Sequence, residues 1–220
     1  MKILDVPQSG SQNGTTSSRN RFGQYRRSRV SPVQPIGSGR RAVVRANFGA
    51  CSTAWSGLTD AQRDAWSAFA EGHPYTDSLG QSIVLTGHQM FVAVNCNRLN
   101  CGNAINETPP GTTEVFSPGA VTVTATAGTQ ALTVAWSNTA DGDFNAVAFS
   151  PPLSPGRRFP TRFWQAKVEP VAGSPYNALA AYVAEFGALT AGKRIFVKVT
   201  PINDDGMSGV PVIVSKIVAV

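Results

Sequence analysis

The sequence predicts an α+β protein in three parts: an extended N-terminal arm, a small helical hairpin module and a C-terminal β-sandwich. Three observations carry that reading. The net positive charge is concentrated in the first 50 residues, where large aliphatic residues are scarce. Two Thr-x-x-Gln boxes, at Thr59–Gln62 and Thr86–Gln89, each precede an apolar stripe of helical period. From Pro118 onward the apolar residues recur with a period of two, broken at short intervals by turn residues.

Composition bounds the answer. At 220 residues the chain is one large domain or two small ones. Its 42% hydrophobic and 15% charged residues are those of a globular protein, and 21 Gly with 15 Pro argue against an all-helical bundle. The longest apolar runs are short, such as 210–214 and 217–220, far below the ~18 residues of a membrane span. The opening residues Met1 to Asp5 have no apolar run of the kind a secretory signal needs, so the sequence reads as a protein made in a cytoplasm and kept there or released by lysis.

The arm spans residues 1–48. Residues 1–50 hold nine basic side chains against Asp5 alone, a net charge of +8, which leaves −2 for the remaining 170. A basic block of this kind marks a tail that meets nucleic acid or an acidic protein surface, or else a solvated leader. Pro32 and Pro35 hold the chain between them extended. Arg19, Arg21, Arg26, Arg27 and Arg29 offer planar forks suited to phosphate or carboxylate, and Phe22 and Tyr25 stand among them as aromatic anchors. With Arg40 and Arg41 these are the candidate partner-binding residues.

The helical module spans 49–107. The Thr59 box starts a helix over about Asp60 to Glu71, with Ala61, Ala65, Trp66 and Phe69 apolar and Gly72 as its stop. The Thr86 box starts another, with Met90, Phe91, Val94 and Leu99 apolar, ending near Gly102. Ser82 to Leu85 suggests a short extended piece between them, and Arg41 to Trp55 an earlier helix with Val43, Val44, Phe48 and Trp55 as its apolar residues. Residues 108–117 are a linker by composition.

The C-terminal domain spans 118–220. Val121–Ala125, Leu132–Trp136, Ala146–Phe149, Phe163–Val168, Ile195–Ile202 and Val210–Val220 alternate as strands do, and six or seven strands in about 100 residues fit a β-sandwich. Asn177 followed by Ala178 to Phe186 and Gly187 reads instead as a capped and stopped short helix.

This last domain resembles the fibronectin type III family. Leu189, Gly192, Ile195, Val197, Val199, Asn203, Gly206 and Ser208 keep the relative spacing of that family's penultimate strand and last hairpin, and Trp136 matches its early buried tryptophan. Ile195 stands where the family has its corner tyrosine, and the helix after Asn177 is a second departure, so the broader immunoglobulin-like sandwich is the fold the resemblance implies. The whole organisation, with Leu58-Thr59-x-x-Gln62-Arg63-x-Ala65-Trp66 in its helical module, is similar to accessory structural proteins of tailed bacteriophages.

Catalytic chemistry has little to work with. His73 precedes a proline and His88 lies in a helix's first turn, neither beside a nucleophile elbow, and no P-loop occurs. Cys51, Cys96 and Cys101 have no zinc-type spacing and read as reduced, partly buried thiols. Asp141/Asp143 and Asp204/Asp205 are acid pairs of expected turns, the first without the rest of a calcium loop. Trp55, Trp66, Trp136 and Trp164 would make a sugar platform only if exposed, and burial is the default for their positions.

The similarity to phage structural proteins, together with the lack of a catalytic constellation, implies a non-enzymatic virion structural protein without cofactor, metal or small-molecule substrate. It would be made in the host cytoplasm and serve as capsid decoration, cement or minor head protein, with the neck or tail as the alternative place. Its partners would be major capsid or neck and tail proteins and copies of itself, with no membrane. The rival reading is a nucleic-acid-binding protein acting through the arm, and a carbohydrate-binding adhesin is a third.

Overall fold

The computed structural model describes residues 9–12, 14–20, 23–28, 39–76, 81–138, 142–160 and 162–220. The fold is mixed α+β, with four α-helices and several antiparallel sheets among the described residues. The chain divides into two compact units, Met1–Ala42 and Val43–Val220.

In the first unit, strands β1 (Gly10–Gln12), β2 (Thr15–Asn20) and β3 (Gly23–Ser28) form an antiparallel meander. An extended arm was expected here, and the strands are extended, but they are paired. The register sets Thr16 opposite Arg27, Ser17 opposite Arg26 and Ser18 opposite Tyr25. Apolar area alone does not reveal such pairing. Thr and Ser satisfy a ladder's backbone hydrogen bonds without offering an apolar face to read. The Pro32–Pro35 segment lies outside the described residues.

The second unit has two cores. In the first, helix α1 (Gly39–Gly57, its first turn belonging to the first unit) is followed by α2 (Asp60–Gly72) and α3 (Gly87–Cys101). Helix α1 thus begins inside the segment expected to be arm. Both expected capping boxes form: Thr59 and Thr86 accept from the amides of Gln62 and Gln89, whose side chains return to the cap amides at 2.8 and 3.0 Å. Cys51, Leu58, Trp66, Ala70, Met90, Phe91 and Val94 are buried together, with Phe91 edge-on to Trp66 at 5.2 Å between ring centroids. A Cβ on Gly87 would lie 2.8 Å from the backbone nitrogen of Ser67, so only glycine lets α3 start this close to α2. Strands β4 (Tyr75–Thr76) and β5 (Ser82–Ile83) pair in the α2–α3 connection.

The other core lies between two antiparallel sheets. Strands β6 (Val121–Thr126), β7 (Ala131–Trp136) and β10 (Tyr176–Asn177) form one, in the order β10-β7-β6. Strands β8 (Phe144–Phe149), β9 (Trp164–Pro170), β11 (Arg194–Ile202) and β12 (Val212–Ile217) form the other, in the order β12-β11-β8-β9. Leu132, Val134 and Trp136 of the first sheet meet Val147, Phe149, Ile195, Val197 and Val199 of the second. The expected helix is α4 (Leu179–Phe186), which sends Tyr182 into this core edge-on to Phe149. Trp136 is 6% exposed, and its indole Nε1 donates to the carbonyl of Val171 at 2.9 Å.

Candidate interaction surfaces

Residues 108–117, expected as a linker, have no regular structure but are tied down. Pro110 is buried. The Asn203 amide, buried in the turn after β11, donates to the carbonyls of Thr112 and Glu114 at 3.1 Å each, while its Oδ1 accepts from the amide of Met207 at 2.8 Å. A second set of bonds joins the helices to the same turn. Arg98 Nη1 donates to the Asp204 carbonyl at 2.7 Å and lies 3.7 Å from the Asp205 carboxylate. Asn97 Nδ2 donates to the Gly206 carbonyl at 2.9 Å, and Asn103 Nδ2 to Asp204 Oδ1 at 2.7 Å. The turn that the fibronectin resemblance singled out is thus the hub by which sheet, connecting segment and α3 are fixed to one another. Spacing marked Asn203 and Gly206, but not that they would bind these partners, because the partners lie about 90 to 110 residues away in sequence.

Beside this hub a groove of about 600 Å³ runs between the end of α2, α3 and the β11–β12 turn. Pro74, Met90, Val94, Met207 and Val210 supply apolar walls, while His73, Tyr75, Asn97 and Ser208 supply polar atoms. His73 is held rather than poised: its Nδ1 lies 2.9 Å from the Phe69 carbonyl and its ring stacks on Phe69 at 4.2 Å. His88 packs on Trp55 at 5.4 Å. No nucleophile with a hydrogen-bonded base occurs at either histidine among the described contacts. No three His, Cys, Asp or Glu side chains stand close enough to hold a metal ion among the described residues.

Asp141 lies outside the described residues, whereas Asp143 accepts a bond from the Asp204 amide; burial raises its pKa, an effect that bond opposes and the nearby Asp204 carboxylate adds to. The three thiols are free, with Cys51 Sγ 3.8 Å from Cys96 Sγ. Trp66 and Trp136 are buried, and Trp55 and Trp164 half-buried, so the four tryptophans form no common platform.

The arm candidates are only partly in view. Arg21, Phe22 and Arg29 lie outside the described residues. Tyr25 and Arg26 are strand residues of β3, and Arg41 belongs to the first turns of α1. Arg19 and Arg27 are exposed. Arg40 is half-buried; burial lowers its pKa, and its Nε and Nη2 have no hydrogen-bond partner among the described residues. Where the segment expected to be arm has become helix, α1 exposes Val43, Val44 and Phe48.

No helix among the described residues is long and apolar enough to cross a membrane. Comparison with known protein families, with curated proteins and with solved structures finds no match.

Proposed function

We propose that this chain is a non-catalytic structural subunit of a virus particle, a capsid decoration, cement or minor head protein that docks through its N-terminal segment and helices. The observation that carries this reading is at the N-terminus. Residues 1–50, of net charge +8, run into and include the first turns of a helix that exposes Val43, Val44 and Phe48. Cations beside uncovered apolar side chains are what a protein interface requires, since the apolar groups supply burial and the charges orientation.

The C-terminal domain, on this proposal, is an immunoglobulin-like sandwich that projects from the particle or fills a gap in it. The strand order supports that. Taking β6, β7, β8, β10, β11 and β12 as A, B, C, E, F and G, strands A, B and E share one sheet and C, F and G the other, the division immunoglobulin-like domains have. Ile195 lies buried at the position of the absent corner tyrosine.

Mass spectrometry of gradient-purified particles is the test. Peptides of this chain at stoichiometric level are expected, and their loss when residues 1–38 are deleted. Absence of the full-length chain from particles would overturn the reading. The exposed Arg19 and Arg27 favour a second one, binding to a nucleic-acid backbone; salt-dependent binding to unrelated DNA sequences by the isolated protein would select it.

A further inference from the structure

Helix α1 carries one continuous apolar stripe that its own chain covers only in part. Val44, Phe48, Cys51 and Trp55 are spaced four, three and four residues apart, which sets all four on one side of the helix. The C-terminal half of the stripe is packed: Cys51 is buried, and Trp55 lies against the Phe91 ring at 5.4 Å. Asn47 donates to Asn100 at 3.0 Å, next to the last residue of α3, so the stripe runs on past the end of the helix that covers it. There Val44 is 47% exposed, Phe48 57% and neighbouring Val43 48%, with the exposed Arg45 beside them.

Helix α2 has a free face of the opposite character. Ala61, Ala65 and Ala68 are exposed on the side turned away from buried Trp66 and Ala70, and the exposed Asp64 and Glu71 run alongside. Small side chains leave room for a second helix to approach, and large ones on that helix fill the room. Both faces are exposed in the same chain, so they do not meet within it. Pairing α1 with another α1 would bring Arg45 of each copy together, whereas α2 supplies acids.

We propose that the exposed half of α1 docks on the outer face of α2 in a second copy of this chain. Val44 and Phe48 lie against Ala61, Ala65 and Ala68, and Arg45 faces Asp64 and Glu71. The two surfaces differ, so the contact is head-to-tail, and repetition closes a ring or extends a filament. This names a partner for the α1 face of the assembly reading, on which it rests.

Sedimentation velocity of the full chain over a range of concentrations tests it. Species larger than a dimer are expected, growing with concentration and shrinking as salt rises. F48D and A65R, both at exposed positions, should each give monomer with an unchanged circular dichroism spectrum. An equal mixture of the two should give a dimer, because the A65R chain keeps a working α1 and the F48D chain a working α2. Monomer for the wild type at every concentration would overturn the inference, as would oligomers lost in F48D but untouched in A65R. If the wild type is monomeric yet F48D is missing from particles, the inference falls and the assembly reading stands. Normal incorporation of F48D overturns the inference, since assembly would then not need the α1 face, and leaves the assembly reading standing.

Discussion

A methyl group added to Gly206 would stand 2.5 Å from the carbonyl oxygen of Val94, in the middle of α3. The turn between β11 and β12 therefore lies directly on the helix, and the bonds from Asn97 and Arg98 to Gly206 and Asp204 hold it there. With Asn203 binding the 112–114 backbone, α3, the connecting segment and the sheet meet at this one turn. A chain that docks through its helices would carry its sheets in a fixed orientation.

Gly206→Ala should destabilise the 43–220 unit by about 2–4 kcal/mol. The backbone there has φ of 89°, costing a residue with a Cβ about 1–2 kcal/mol, and the contact with Val94 adds an overpacking cost of similar size. Urea denaturation measures it. A change below about 0.5 kcal/mol, the range of ordinary surface substitutions, would mean that the turn stands off α3.

Trp136→Ala should cost about 3–5 kcal/mol, the usual cost of truncating a large buried aromatic. Trp136→Phe separates the two roles of the indole. It keeps most of the packing but leaves the Val171 carbonyl without its donor, a loss of about 1–3 kcal/mol. Equal destabilisation in both variants would show that the hydrogen bond outweighs the packing.

Local signals were readable and distant partners were not. Thr59 and Thr86 announced α2 and α3 because a capping box is complete within four residues. Strands β6 and β7 declared themselves by alternation, and β8 and β11 by short, mostly apolar runs that are buried on both faces. Strands β1 to β3 did not, since Thr, Ser, Arg and Gln give no alternating apolar face. Strand β10 is two residues long and is defined by its pairing with Val134 and Thr133, more than forty residues earlier. The same reason hid the roles of Asn203 and Gly206, and the exposure of Val44 and Phe48. Whether an apolar stripe is covered depends on where α3 ends in space, which no residue of α1 encodes.

Stability should fall as the pH rises above ~8.5, the ordinary value of a thiol, toward 12. Burial pushes the Tyr182 phenol up to about 12, and burial aided by Cys96 does the same to the Cys51 thiol. Cys101 also reaches about 12, through burial and the nearby Asp204 carboxylate, with Arg98 opposing. Each folded pKa is raised, so the unfolded chain loses its protons first. The stability these groups contribute is complete below their unfolded pKa values and is lost as pH climbs through the folded ones. Tyr182→Phe should lose less stability between pH 10 and 11.5 than the wild type. Identical urea midpoints across that interval in both proteins would contradict the assignment.

Residues 39–220 should fold without the preceding segment. The contacts of the chain separate at Ala42, and both hydrophobic cores lie beyond it. Cooperative thermal melting of the 39–220 fragment, within a few degrees of the full chain, is expected. A broad, non-cooperative transition would show that the first unit completes one of those cores.

Replacing Arg26, Arg27 and Arg29 together by Lys asks what the arm meets. Lysine keeps the charge but loses the planar fork that binds a carboxylate through two parallel hydrogen bonds. If the arm docks on an acidic protein surface, as the assembly reading requires, the triple variant should occupy particles less fully than the wild type. The loss should persist at low salt, because geometry rather than charge has been removed. A nucleic-acid backbone would respond differently: attraction there follows the number of cations, and three lysines replace three arginines one for one. Equal occupancy of variant and wild type at low salt, with the same steep decline in both as salt rises, would therefore reject the protein-docking reading of the arm and select the phosphate backbone.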